Sequence, residues 1–172
     1  MKSFYRKKLL SAYEKIYDSK EGVGKLNLCK ECQGAPCEKG PDIVVLLPFE
    51  AEFIRNKLRE KKLKHAAQDI NNIETETGAC PFFQKDKCAI HCSRPIDCRT
   101  YPLMPIFREN TFEIRLLRGC PYGNDVPESF LKATSRVWQK LSPLLSLHWK
   151  RKYNKIVSGL PLRELPIHLS FK

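Results

Sequence analysis

The sequence carries eight cysteines, and all but one of them fall into two clusters. They are spaced as Cys29-x2-Cys32-x4-Cys37 and, after a long gap, as Cys80-x7-Cys88-x3-Cys92-x5-Cys98, followed by Cys120. A Cys-x2-Cys turn aims two sulfurs at one point, and Gly34 and Pro36 help to bring the third cysteine toward it. Because thiolates bind zinc and iron–sulfur clusters well, the spacing predicts that both clusters fold together around metal.

The spacing also bears on the kind of metal centre. A zinc ribbon usually has two Cys-x2-Cys pairs, and this chain has one. The irregular second cluster fits iron–sulfur ligation at least as well, so we predict an iron–sulfur cluster of the 4Fe–4S type, with zinc as the alternative. Seven or eight thiolates exceed one four-ligand site. Either two sites exist or some of the cysteines are small buried hydrophobic residues.

The compartment decides the chemistry of these thiols. The first ten residues, MKSFYRKKLL, have charges where a secretory signal has an apolar run. The longest apolar stretch, residues 43–49, contains a proline and is far shorter than the roughly 20 residues of a membrane span. We therefore predict a cytoplasmic protein without a transmembrane segment. In a reducing cytosol, metal ligation explains the cysteines better than disulfides do.

Hydrophobic periodicity predicts an α+β fold, in which a small, irregular, metal-centred core with short hairpins is flanked by N-terminal and C-terminal helices. Apolar residues at helical spacing predict a first helix over residues 3–19. A second is predicted over residues 48–65, with a proline at its first position and glutamates in its first turn. A third helical pattern begins at Pro127 and is interrupted at Pro143, where Ser142 is the predicted cap of the restart.

Short strands are predicted between these helices. A run of apolar, mostly branched residues predicts a buried strand over residues 43–47, and apolar runs around charged tips predict hairpins over 82–90 and 103–117. The length suits one domain with helical additions. The predicted parts are an N-terminal helix in 1–24, a cysteine-cluster metal-binding domain in 25–126, and a C-terminal helical extension packed on the same domain in 127–172.

Three stretches of the second cluster form a longer pattern. They are Thr77-Gly78-Ala79-Cys80-Pro81-Phe82-Phe83, Cys88-Ala89-Ile90-His91 and Arg94-Pro95-Ile96-Asp97-Cys98-Arg99-Thr100-Tyr101-Pro102. This pattern resembles the signature of the cysteine-cluster family described as putative zinc- or iron-chelating proteins, which includes relatives of flagellin lysine N-methylase. The resemblance spans about residues 29–120. It implies metal binding, and it implies S-adenosylmethionine-dependent protein lysine methyl transfer as an alternative function.

The sequence departs from the family pattern at two places. The family's first cluster usually ends in adjacent cysteines, whereas Pro36-Cys37 stands here, so one expected ligand is missing. Cys92 occupies a position that the family usually fills with a residue that is not a ligand, and it either replaces the missing sulfur or takes no part. The expected metal ligands are Cys29, Cys32, Cys37, Cys80, Cys88, Cys98 and Cys120, with Cys92 as the optional member.

Two arginines, Arg94 and Arg99, lie on either side of the last cysteine in the second cluster. A cluster held by four thiolates is negatively charged, so adjacent guanidiniums would neutralise it and donate hydrogen bonds to sulfur. Alternatively, the two arginines pair with Asp97, Glu50 or backbone carbonyls and hold the loop. The sequence leaves both interpretations open.

The chain is also strongly basic, with 31 Lys and Arg against 19 Asp and Glu and a formal net charge of +12. The positive charge is concentrated in the predicted helices, where it either binds phosphates or acidic proteins or simply faces solvent. An acidic protein or an RNA is therefore a candidate partner, the latter making the chain an RNA- or ribonucleoprotein-associated module. The sequence contains no P-loop, Gly-x-Ser-x-Gly or His-Glu-x2-His motif, so no catalytic residue is assigned. The first hypothesis is a metal-binding protein with a structural, redox or assembly role.

Overall fold

The structure is a computed structural model of the 172-residue chain. It describes residues 2–18, 44–63, 80, 82–84, 87–109, 111–118 and 126–165. The chain forms two compact units, Met1–Arg99 and Thr100–Lys172. Helices lie toward both ends, and short antiparallel strands lie between them and after the last helix, which confirms the α+β class. The predicted domain boundaries stay a prediction.

The first unit contains two longer helices, a small hairpin and the short helix at its end. These elements are α1 (Lys2–Asp18), α2 (Glu50–Glu60), β1 (Phe83–Gln84), β2 (Lys87–Cys88), a 3-10 turn (His91–Ser93) and α3 (Ile96–Thr100). The predicted first helix and first hairpin are confirmed. On α1, Leu9, Tyr13 and Ile16 recur at helical spacing and are buried. They pack toward α2, where the ring of Phe53 lies 5.7 Å from that of Tyr13.

The short strand predicted over residues 43–47 does not form in the part of it that the structure describes. The backbone there is buried, but two of its N–H groups donate to carboxylates instead of to a neighbouring strand. The N–H of Val45 donates to Asp97, and the N–H of Leu47 donates to Glu50, each at 3.0 Å. A buried backbone donor needs one partner, and here side chains supply it. The predicted burial is correct and the predicted strand is wrong.

The second helix is shorter than the predicted range of residues 48–65. It ends at Glu60, and Lys62 adopts a left-handed backbone conformation with φ 59°. The N–H of Leu63 then donates back to the carbonyl of Leu58 at 2.8 Å, which closes a Schellman motif. This arrangement usually uses glycine, so a lysine at the position gave no signal in the sequence.

The second unit is built on a three-stranded antiparallel sheet in the order β3-β4-β5. Its strands are β3 (Leu103–Phe107), β4 (Phe112–Leu117) and β5 (Leu162–Glu164). The β3–β4 hairpin confirms the prediction for residues 103–117, and Pro105 lies opposite Ile114 in its register. The third strand was not predicted, because three residues that pair with a distant strand have no periodicity of their own.

Two helices, α4 (Glu128–Leu141) and α5 (Leu147–Val157), pack in the second unit. The ring of Phe107 lies 5.8 Å from Trp138 of α4 and 5.5 Å from Tyr153 of α5, in edge-to-face contacts. The predicted interruption at Pro143 is confirmed, since a 3-10 turn separates the helices. The cap is Ser146 instead of Ser142: its Oγ accepts the N–H of Trp149 at 3.2 Å.

In the part of the chain that the structure describes, none of the helices combines the length and the apolar character that crossing a membrane requires.

Candidate metal centre

The structure describes half of the predicted ligands. Cys80, Cys88, Cys92 and Cys98 lie in the first unit, and all four are thiols and not disulfides. Cys92 is exposed, whereas the other three are partly buried. The predictions for Cys29, Cys32, Cys37 and Cys120 fall outside the described residues and stay predictions.

The β1–β2 hairpin interrupts the second cysteine cluster, so that cysteines of this cluster lie on the chain segments on both sides of the hairpin. Cys88 ends β2 directly opposite Phe83 of β1, and the next residue, Ala89, donates its N–H to the carbonyl of Phe82 at 2.8 Å. The segments before β1 and after β2 therefore leave the hairpin at the same end, as antiparallel pairing requires. Cys80 lies on the first of these segments, and the later cysteines of the second cluster lie on the other.

Two buried arginines hold the backbone of the segment that carries Cys92 and Cys98. Arg94 donates through Nε to the carbonyl of His91 at 3.1 Å. Arg99 donates through Nε to the carbonyl of Arg94 at 2.9 Å, and through Nη2 to the carbonyl of Cys92 at 2.6 Å. These are bonds to backbone carbonyls, as one of the two sequence interpretations predicts. The role of both arginines toward a metal cluster stays a prediction.

Tyr17 of α1 contacts the same segment from its other side. Its hydroxyl donates to the carbonyl of Arg94 at 2.6 Å, and the guanidinium of Arg99 lies 4.0 Å from the centre of its ring. The ring also meets Phe53 of α2 edge to face at 4.9 Å. A cation over an aromatic face is attracted by the ring quadrupole. The ring of Tyr17 therefore binds the guanidinium, while its hydroxyl holds the backbone of the segment in place. The helical spacing that predicts α1 gives no signal for this role of Tyr17.

The carboxylate of Glu50, at the first position of α2, is fully buried beneath this segment. One oxygen, Oε1, accepts the N–H of Ile96 at 2.7 Å, and the other, Oε2, accepts the N–H of Leu47 at 3.0 Å. The hydroxyl of Tyr17 lies 3.3 Å from Oε1. Burial raises the pKa of Glu50 to about 7, although the two backbone donors oppose that rise.

Asp97 forms a second hydrogen bond of the same kind, in which a buried carboxylate accepts a backbone N–H. It lies in the first turn of α3 and is buried, and its Oδ2 accepts the N–H of Val45. Two carboxylates from different elements thus bind the backbone that precedes α2 and the backbone that begins α3. The sequence predicted Glu50 in the first turn of its helix and, as one alternative, as a partner of the two arginines, and it missed this role. An acidic residue that directly follows a long apolar run was the available signal.

His91 lies beside the two arginines. Burial lowers its pKa, and the positive charges of Arg94 and Arg99 lower it further. The imidazole is therefore neutral near pH 7, and its backbone carbonyl accepts the hydrogen bond from Arg94.

The donor set is suited to a thiophilic metal. Soft thiolates select zinc or iron–sulfur clusters over magnesium or calcium, and the described cysteines are thiols. Among the described residues, no three side chains of His, Cys, Asp and Glu converge as a metal site. That the centre draws cysteines from both clusters stays a prediction.

Comparison with known proteins agrees with this donor chemistry. A family model named CxxCxxCC, described as a putative zinc- or iron-chelating domain, matches residues 28–121. The match covers more than half of the chain and includes every cysteine that the sequence predicts as a ligand. No curated protein and no solved structure matches the chain.

Proposed function

This chain belongs to the CxxCxxCC family of putative zinc- or iron-chelating domains, and from that membership we propose that it holds an iron–sulfur cluster of the 4Fe–4S type between its two cysteine clusters. The observation that carries the proposal is the family match across both clusters. One Cys-x2-Cys pair and irregular later spacing favour an iron–sulfur cluster over zinc.

One 4Fe–4S cluster takes four thiolates, and the proposed ligands are drawn from the cysteines that the chain shares with the family pattern. They are Cys29, Cys32, Cys37, Cys80, Cys88 and Cys98 in the two clusters and Cys120 beyond them. Cys92 is proposed as a bystander, because its side chain is exposed whereas the three other described cysteines are partly buried. A bound cluster would supply either one-electron chemistry or a rigid cross-link between the two chain segments.

The proposed role is structural as well as redox. Ligands from both clusters close a long loop, so metal binding would contribute directly to the folding free energy of the first unit. Structural zinc in small peptides sets the scale at about 10 kcal/mol or more. Arg99 and Tyr17 hold the backbone around Cys92 in place by hydrogen bonds and a cation–π contact, which limits the rearrangement that metal binding requires.

Anaerobic purification tests this proposal, with iron, acid-labile sulfide and zinc quantified and a visible absorption spectrum recorded. We expect iron and sulfide in similar amounts, a loss of both in Cys98→Ser, and wild-type content in the matched control Cys92→Ser. Stoichiometric zinc without sulfide would overturn the cluster but keep metal binding. A wild-type protein that holds neither metal would overturn metal binding itself.

A second candidate function is binding to RNA through α5. This helix contains no acidic residue, and its side chains Arg151, Lys152 and Lys155 are exposed with no ion pair among the described residues. On α2, in contrast, Lys57 is paired with Glu14 at 2.6 Å. Positions 151, 152 and 155 share one face of the helix, so the three charges can meet one phosphate backbone together.

Salt dependence tests the RNA candidate. The logarithm of the RNA association constant falls linearly with the logarithm of the salt concentration. Neutralising Arg151, Lys152 and Lys155 together should make this dependence shallower, by about 2 in slope for a single-stranded RNA. The matched control is Lys132→Gln on α4, whose ammonium is paired with Glu128. An unchanged slope would remove α5 from the RNA candidate. Binding to an acidic peptide but not to RNA would replace it with a protein partner.

Protein lysine methyl transfer stays a prediction from resemblance, and no feature of the described residues favours it. Saturable binding of S-adenosylmethionine to the purified chain would be the first support for this alternative. Its absence would leave metal binding as the function to pursue.

A further inference from the structure

The segment that carries Cys92 and Cys98 is attached to the helices beneath it by a small number of polar contacts. One of these contacts joins the N–H of Ile96 to the buried carboxylate of Glu50 at 2.7 Å. Ile96 begins α3, and Cys98 lies two residues later on this one-turn helix. A shift of the Ile96 backbone therefore moves the sulfur of Cys98.

No water can replace the carboxylate without rearrangement, because Glu50 and Ile96 are both fully buried. Removing the acceptor would leave the N–H of Ile96 unpaired, and a buried donor without a partner destabilises the folded state. The same substitution would also affect Leu47, whose N–H donates to the other oxygen. Glu50 thus joins the chain before α2 to the beginning of α3.

The backbone around Glu50 is held in an unusual conformation. The preceding residue, Phe49, has φ 62° and ψ 4°, a left-handed conformation that is strained for a residue other than glycine. It directs the chain so that the N–H of Glu50 donates to the carbonyl of Leu47 while the side chain accepts the N–H of Leu47. Strain of this kind persists only where the surrounding contacts determine the geometry.

A second contact joins Glu50, through Tyr17, to the backbone of Arg94 in the same segment. The hydroxyl of Tyr17 lies 3.3 Å from Glu50 and donates to the carbonyl of Arg94 at 2.6 Å. Arg99 stacks on the Tyr17 ring and donates to the carbonyl of Cys92. Glu50, Tyr17 and Arg99 therefore form a connected support that touches the backbone near both cysteines.

We propose that Glu50 is a positioning residue of the metal centre: it fixes the beginning of α3, and so the sulfur of Cys98, without touching the metal. The inference rests on the proposed function, since it concerns the same site. Removing a residue that orients a metal ligand without binding the metal typically weakens metal affinity 10- to 100-fold. We expect Glu50 to act in this range.

The test is a cobalt(II) titration of the full-length chain, in which cobalt stands in for the native metal and its absorption bands report the geometry of the thiolates. Glu50→Gln should weaken cobalt affinity 10- to 100-fold. It should also change the band shape at saturation, which a uniform loss of stability would not do. The matched control is Glu52→Gln on the same helix, where a partly exposed carboxylate pairs with Arg6, and its affinity should stay within about twofold of wild type.

Tyr17→Phe provides a second variant in case Glu50→Gln does not fold. It keeps the ring beneath Arg99 but removes the hydroxyl that links Glu50 to the carbonyl of Arg94. We expect a smaller loss of affinity, of about threefold to tenfold. Wild-type affinity and band shape in both variants would overturn the positioning role and leave metal binding intact. A wild-type chain that binds no cobalt would overturn the site and this role together.

Discussion

The side-chain amide of Asn154 on α5 forms two hydrogen bonds with the backbone of Phe107 on β3. Its Oδ1 accepts the N–H of Phe107 at 2.9 Å, and its Nδ2 donates to the carbonyl of Phe107 at 2.7 Å. The amide thus takes the place of part of a neighbouring strand at the edge of the sheet, because β3 pairs only with β4 among the described strands. The contact fixes α5 against β3 while the ring of Phe107 packs on Trp149 and Tyr153.

Replacing Asn154 should therefore destabilise the second unit. Asn154→Ala should lower the free energy of unfolding by about 1–3 kcal/mol, because two backbone groups lose their partners. Asn154→Asp should lower it further, since a carboxylate oxygen would then face the carbonyl of Phe107. Urea unfolding measures both, with the exposed neighbour Lys155→Ala as control. Equal stability of the Ala variant and wild type would show that solvent replaces both bonds.

Lys62→Gly should stabilise the first unit. Lys62 occupies the left-handed position of the Schellman motif after α2, and glycine adopts that conformation without the steric penalty. The gain in unfolding free energy should be about 0.5–1 kcal/mol, after the entropy of glycine in the unfolded chain is subtracted. The matched control is Lys61→Gly, where φ is −83° and no gain is expected. A loss in Lys62→Gly would contradict the assignment.

The stability of the first unit should fall as the pH rises from about 4.5 to about 7. The pKa of Glu50 is about 7 in the folded protein against its usual 4.5, so the folded state holds a proton that the unfolded state has released. At about 1.4 kcal/mol per pKa unit, the decrease across this range is on the order of 3 kcal/mol. The contribution is complete below pH 4.5 and lost above the folded pKa.

The measurement is the difference in unfolding free energy between wild type and Glu50→Gln at pH 5 and at pH 8. The variant cannot titrate at this position. The unfolding free energy of wild type relative to the variant should therefore be larger at pH 5 than at pH 8. Glu52→Gln controls for the loss of a carboxylate on the same helix, because the pKa of Glu52 is lowered by Arg6 instead of raised. A difference that does not change with pH would contradict the raised pKa.

Thr134→Val should stabilise the second unit by about 1 kcal/mol. Thr134 is fully buried on α4, and its hydroxyl has no hydrogen-bond partner among the residues that the structure describes, as is also true of the indole N–H of Trp138 one turn later. Valine has nearly the same shape and removes the unsatisfied group. Thermal unfolding compares it with the exposed control Ser129→Ala. A lower melting temperature for Thr134→Val would indicate that a buried water satisfies the hydroxyl in solution.

Local patterns predicted part of this fold well. The apolar spacing of Leu9, Tyr13 and Ile16 identified α1, and alternation around a charged tip identified the β3–β4 hairpin with its bounds. Both signals arise within one stretch of chain, because a helix or a hairpin satisfies its own backbone. The restart of the last helix was also predictable from Pro143, but its cap was displaced to Ser146 by the intervening 3-10 turn.

Contacts between distant segments decided the rest. The sequence by itself determined the family, through cysteine spacing and the Arg-Pro-x2-Cys-Arg-x-Tyr-Pro element, because thiol ligands and their turns are local chemistry. Only the tertiary structure decided that the N–H of Val45 donates to Asp97 instead of to a strand and that Glu50 is buried beneath Ile96. A backbone N–H takes whichever acceptor the packed chain brings to it, and no local pattern records an acceptor that is about 50 residues away.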